Sequence, residues 1–167
     1  KLHDPGHIDI FEDACYQTIR ALSKERLDYI ANALTNSLTD EDMEHLQKKK
    51  LLWLLGELND SEIIQLYYYS LSMNPDLQKD YFEKHKEALF IPPITKSTPE
   101  DELAKAVISR TYKERLVQLG LLTPVYTRLK KGEPPEFDAK TGQMKIRYYR
   151  ISALGRLLCQ FISENNG

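Results

Sequence analysis

Cysteine, glycine and long apolar runs are all scarce in this chain. Only Cys15 and Cys159 occur in 167 residues, near opposite ends and each within an apolar helical pattern. Neither belongs to a C-x-x-C pair or a zinc-type spacing, which argues against a disulfide scaffold or a cysteine-based metal site. Free cysteines in such patterns behave as small core hydrophobes, so both are expected reduced and buried, in a cytoplasmic setting. The seven glycines are scattered as turn and cap residues; none builds a phosphate-cradling loop. The longest apolar run, Leu51–Leu58, is broken by Gly56 and Glu57. It falls well short of the ~18 residues that span a bilayer, so no membrane contact is expected of this segment. No secretory leader pattern opens it. The first residue is Lys1, not Met, which reads as a piece of a longer chain.

Catalytic constellations are missing too. No Ser-His-Asp or Cys-His order stands out. The acids of Asp40–Asp42 and of Glu100–Glu102 open helices, where negative charge suits the helix dipole. His3, Asp4, His7 and Asp9 carry ligand atoms, and His3 and His7 stand four apart. Pro5-Gly6 between them argues against a helix that would aim both at one ion. The chain therefore reads as non-catalytic, with no cofactor and no metal.

What is present is helical periodicity. Hydrophobic residues make up 41% of the chain, a globular value, and the length suits one compact unit of two subdomains. A helical subdomain spans 1–90 and a second spans 99–164, divided by the proline-bearing stretch IPPITKSTPE. Ile8, Phe11, Cys15, Ile19 and Leu22 recur at threes and fours and predict a first helix with that stripe inward. Ser23 caps a second helix with Leu27, Ile30, Ala31, Leu34 and Leu38 inward. Thr39 with Asp42 resembles a capping box that opens a third. That helix buries Leu51, Leu52, Leu54, Leu55 and Leu58, with Trp53 beside them in the core. Asn59 and Glu62 box a fourth helix. Asn74-Pro75 opens a fifth, with Leu77, Tyr81, Phe82, His85 and Leu89 on one side. Thr98 caps, and Pro99 begins, a sixth that stops at Gly120.

The period then changes to two. Val125–Lys130 and Gln143–Ile151 alternate and are joined by a Gly/Pro-bearing stretch, which predicts a β-hairpin. Val125, Thr127 and Leu129, with Met144, Ile146 and Tyr148, make an apolar face for the core. Tyr126, Arg128 and Lys130, with Lys145, Arg147 and Tyr149, make a basic outer face. Ser152 caps a closing helix. The fold class is therefore mainly α: about six helices, a β-hairpin wing and a C-terminal helix.

Charge is split along the chain. Residues 110–156 hold eleven Lys or Arg against four acids, a balance of +7, and the rest carries −9 to reach the net −2. A basic segment that ends in a hairpin suits an anionic partner. Three adjacent tyrosines, Tyr67, Tyr68 and Tyr69, point about 100° apart on a helix, so at least one is expected at an interface.

The phrases LVQLGLL, hairpin, ISALGRLL are similar to the back half of bacterial winged helix-turn-helix domains, over Asp101 to Ile162. There a helix ends in a leucine-glycine-leucine turn, a two-stranded wing follows, and a final helix opens with a Ser/Thr-x-x-Gly-Arg phrase. The resemblance implies a regulatory module that binds DNA. It would use Arg128, Lys130, Lys145 and Arg147 of the wing, with Lys105, Arg110 and Lys113 at the recognition-helix position. Many winged helices act instead as protein-interaction scaffolds. The alternative expectation is thus a protein-interaction or homodimerisation domain of a larger bacterial protein, pairing through its front helices and Tyr67–Tyr69.

Overall fold

The computed structural model describes residues 5–164 except 22, 41, 92–94, 96, 127–133, 135, 138–141 and 143, and except the side chain of Arg20. Among the described residues the chain is mainly α, with one two-stranded antiparallel hairpin before the last helix. The helices are α1 (Pro5–Arg20), α2 (Lys24–Thr39), α3 (His45–Glu57), α4 (Asp60–Ser70), α5 (Pro75–Lys84), α6 (Lys86–Leu89), α7 (Glu100–Gln118) and α8 (Ala153–Ile162). The strands are β1 (Leu122–Tyr126) and β2 (Ile146–Ile151).

Local signals placed several boundaries. Ser23 accepts from the Arg26 amide, and Ser152 from the Gly155 amide. Asn59 and Glu62 exchange reciprocal bonds of 2.9 Å. Gly120 takes φ +74 after α7. Its amide donates to Val117 and that of Leu121 donates to Leu116, each at 2.9 Å, the paired bonds of a Schellman end.

Other boundaries moved. The first helix starts at Pro5, because proline at the first helical position forfeits only an amide that is unpaired there anyway. Thr39 ends α2 instead of opening α3, and its hydroxyl donates to Thr35 O at 2.9 Å. The amide of Glu44, just before α3, donates to Gln47 Oε1 at 3.2 Å. The expected fifth helix breaks at His85 into α5 and α6. Pro99 itself occupies the cap position of α7, and the Thr98 hydroxyl accepts from the Thr95 amide at 2.6 Å. Most of IPPITKSTPE's apolar half lies outside the described residues, as do Thr127–Lys130 of the expected first strand.

One hydrophobic cluster joins front and back: Ile10, Ile30, Leu52 and Ile63 pack with Leu116, Leu121, Leu158 and Ile162. Leu51, Leu52, Leu54, Leu55 and Leu58 are all buried, as their spacing requires. One expected stripe is turned outward and another is widened: on α2, Ile30 is buried and Leu34 packs against the core as expected. On α2 the inward side is Arg26, Ile30, Ala33, Asn36 and Ser37, while Leu27 is exposed. The cause is the need of helix C-termini for donors. The Asn36 amide donates to Phe161 O at 2.8 Å, Asn32 donates to Ile162 O at 3.1 Å, and Arg26 donates to Leu55 O. Helix α2 thus closes the carbonyl ends of both α8 and α3, and a polar face is buried to do it.

On α1, Ile10 and Ala14 face the core and Gln17 donates to Leu52 O at 2.7 Å. Of the expected stripe, Ile8, Phe11, Cys15 and Ile19 are exposed, Ile19 at 81%, and Leu22 lies outside the described residues. Cys15 is therefore a surface thiol, and Cys159 alone is buried, its pKa pushed up to about 12 by that burial. Trp53 is also half-exposed, with the Lys50 amine 3.9 Å from its ring centre.

The two phrases that flank the hairpin meet directly. The Ser152 amide donates to Leu121 O at 3.0 Å, and its hydroxyl to Gly120 O at 2.6 Å. A Cβ on Gly155 would lie 2.3 Å from Leu121 O, so only glycine admits this approach.

Candidate functional site

The hairpin hangs from that joint. Leu122 pairs with Ile151 and Val125 with Tyr148, with a bulge between Val125 and Tyr126. Ile151 is buried beside Gly155. Counting back by two turns Tyr149 inward with it, onto Tyr69 at 6.4 Å. The expected apolar face is thereby corrected: Met144, Ile146 and Tyr148 are exposed. The alternation was legible, but its phase is fixed by Ile151 at the base and not by the apolar residues further out.

Among the described residues, the expected basic side chains do not share one surface. Lys145 and Arg147 are exposed on or beside β2, joined by exposed Arg150. Lys145 lies 3.7 Å from Glu136. Arg128 and Lys130 fall outside the described residues. On α7, Lys105 is exposed, but Arg110 is bound to Glu114 at 3.0 Å. Lys113 shares the inward side with Ala106, Ser109 and Leu116, and burial pulls its pKa down. The outward side of α7 carries Leu103, Val107 and Ile108, all exposed.

Tyr67, Tyr68 and Tyr69 each find a different neighbour within the chain. Tyr67 meets Tyr81 at 5.3 Å, Tyr68 meets Phe82 at 6.1 Å, and Tyr69 meets Tyr149. Side chains 100° apart thus fasten α5 on one side of α4 and the hairpin on another. Burial pushes Tyr69 up to about 12.

Two further surfaces stand out. The first is the outer face of α1. Ile8, Phe11, Cys15 and Ile19 follow one another at spacings of three and four along that face. Asp9, on its flank, accepts from Lys49 at 2.7 Å and lies 3.3 Å from His45, which lashes α1 to α3; the Lys49 bond holds its carboxyl below the usual range. The apolar stripe was legible, but nothing local to α1 says whether another element covers it.

The second is a cleft of about 680 Å³ where α1, α2 and α7 meet the joint between α3 and α4. Tyr16, Trp53 and Tyr112 give it aromatic walls, and Gln17, Arg26 and Asp60 give it polar groups. Gly56 lets Gln17 lie close: a Cβ there would be 3.1 Å from Gln17 Nε2. Both polar donors are half-used. Gln17 Nε2 serves Leu52 O and Arg26 Nη2 serves Leu55 O, while Gln17 Oε1 and Arg26 Nη1 are buried with no partner among the described residues. Arg26 is only 8% exposed, and a buried polar atom left unpaired costs about 1–3 kcal/mol. Asp13 and Glu57, also in the lining, are matched by Lys49 at 3.5 Å and Arg115 at 3.2 Å. Asp60 has no ion-pair partner among the described residues, and the Arg26 charge acts on it only at longer range.

Among the described residues no cluster of three His, Cys, Asp or Glu side chains suits a metal ion, and no helix is long and apolar enough to cross a membrane. His3 and Asp4 lie outside the described residues. The chain matches no protein-family model, no curated protein and no solved structure.

Proposed function

We propose that this chain is a non-catalytic protein-interaction module that pairs with a second copy of itself through α1. The observation that carries this is the outward stripe of Ile8, Phe11, Cys15 and Ile19 on a helix already fastened to the body through its other side. Large apolar groups aligned along a whole helix mark contact surfaces. An isologous pair needs only one such patch, because each copy covers the other's. Knob-like side chains at three- and four-residue spacings interdigitate when two helices cross at a shallow angle.

Sedimentation velocity over a wide range of protein concentration tests this. Expected is a concentration-dependent dimer that the double substitution Phe11→Ser with Ile19→Ser converts to a monomer. Because both positions face solvent in the single chain, the variant's melting temperature at low concentration should stay within a few degrees of the parent's. A wild-type chain that stays monomeric at every concentration removes self-association through α1.

A second function is favoured by one specific observation, the exposure of Lys145, Arg147 and Arg150 on one ribbon. In that role the winged-helix-like back half holds nucleic acid by phosphate contacts from the hairpin, without a recognition helix, since Arg110 is engaged by Glu114 and Lys113 is turned inward. Fluorescence anisotropy with random duplex DNA tests it. Affinity should fall with salt, and Lys145→Ala, Arg147→Ala and Arg150→Ala together should flatten the slope of log K against log salt by roughly two to three units. No binding at low salt excludes it.

A further inference from the structure

We infer that the hairpin holds nucleic acid in single-stranded form, with an unpaired base stacked on Tyr148 and the neighbouring phosphates on Arg147 and Arg150. This rests on the nucleic-acid role of the hairpin and names the form of the partner. The regular half of the ribbon fixes the platform. Val125 pairs with Tyr148 and Thr123 with Arg150. Two residues apart on one strand, Tyr148 and Arg150 share a face. It is the face opposite Tyr149 and Ile151, which turn toward the body. Tyr148 is 51% exposed, and Arg150 is exposed beside it. Arg147 precedes the ring and is exposed as well. The ladder passes from Tyr148 to Ile146 across the bulge, so Arg147 has no rung partner of its own. A bulge of this kind breaks strict alternation and re-aims the side chain. An exposed ring thus stands between two guanidinium groups along β2.

Charge and ring together select the partner. The two strands hold two arginines and no acidic residue. Neither arginine has an ion-pair partner among the described residues, whereas Lys145, just outside β2, is met by Glu136 at 3.7 Å. Unpaired cations on a ribbon suit phosphates. A duplex would use the arginines and leave the ring idle, because its bases are stacked on one another. A single strand offers a free base face and a phosphate in every nucleotide, which matches a ring flanked by guanidinium groups. Phe137, 58% exposed and bridged to Met144, offers a second ring further along the ribbon. Stacking on a ring reads no base edge, so the site tolerates any sequence. None of these residues belongs to the α1 stripe, and either surface can fail without the other.

Fluorescence anisotropy of a labelled thymidine oligomer of about ten nucleotides, titrated with the full chain at low salt, tests this. Its controls are an abasic oligomer of the same length, which keeps the phosphates and lacks the bases, and a duplex of the same length. Expected is saturable binding of the thymidine oligomer, with the abasic oligomer and the duplex each about tenfold weaker or worse. Tyr148→Ala should weaken the thymidine oligomer about five- to 150-fold and leave the abasic one and the salt dependence unchanged. Tyr148→Phe keeps the ring and should stay within about threefold of the parent. Equal affinity for the thymidine and abasic oligomers, measured on the unaltered chain, overturns the inference and leaves phosphate contacts alone. Duplex binding as tight as the single strand overturns it as well. Parental affinity in Tyr148→Ala removes the platform. No binding of any of the three at low salt overturns this inference and the nucleic-acid role together, and leaves pairing through α1 standing.

Discussion

At the residue scale, two positions show how a side chain's identity follows from what lies within a few ångströms. Gly155 is glycine because a Cβ would meet Leu121 O at 2.3 Å and Ile151 Cγ1 at 2.9 Å. Backbone sits on one side of it, so the strain cannot be relieved by a rotamer change. Gly155→Ala should destabilise the chain by about 1–3 kcal/mol, read as a lower urea midpoint with unchanged slope. Had the loss exceeded that range, the shift of α8 would have to reach the core through Leu158. Asn59 is the second case. It closes α4 by a reciprocal pair with Glu62, and Asn59→Ala should cost about 1 kcal/mol by the same measurement. Asn59 was legible in the sequence, because a cap is settled by neighbours two to four positions away. Arg26 was not. Its role depends on Leu55, across the α2–α3 packing, and no local pattern announces a buried arginine.

At the scale of elements, existence was easier to read than orientation. Periodicity found α1 and α2, but α1 turns its apolar stripe outward, and α2 adds buried polar residues beside Ile30 and Leu34. On α2 the demand is chemical: carbonyl ends of α3 and α8 need donors, and Arg26, Asn32 and Asn36 supply them. On α1 the inward side is small and polar, with Ala14 and Gln17 set close to Gly56 of α3. A hydrophobic stripe does not record whether its cover lies in the same chain, so the sequence alone could not tell that the stripe of α1 is exposed. The hairpin shows the same limit in β form, since a two-residue period gives two faces and only the buried anchor, Ile151, says which is inner. The basic candidates divide for this reason. Lys145 and Arg147 lie out along the ribbon beyond its packed base, whereas Lys113 lies on the side of α7 that the core needs.

At the scale of the whole molecule, tyrosines do much of the joining between the helices and the hairpin, and that makes stability sensitive to alkali. Burial pushes Tyr29 and Tyr69 up to about 12, and pushes Tyr81 upward as well. An unfolded tyrosine titrates near pH 10. Between about pH 10 and 12 the unfolded chain therefore gives up protons that the folded chain keeps, and stability falls as pH rises through that window. Below pH 10 this contribution is fully present. Thermal melts from pH 8 to 12 should show the decline, and Tyr69→Phe should make it shallower. A flat profile across that window would mean that these phenols reach water in the folded state. The joint between Gly120 and Ser152 carries a different consequence. Its hydroxyl-to-carbonyl bond closes a ring between positions 32 apart in sequence, so the stretch between them leaves and re-enters the body at one joint, with Tyr149 on Tyr69 as a second hold near its base. Such an enclosed stretch behaves as an exchangeable cassette. Each doubling of its length adds only about 0.6 kcal/mol of closure entropy, so the far end of the ribbon is free to diverge, lengthen or be grafted without the helices registering the change.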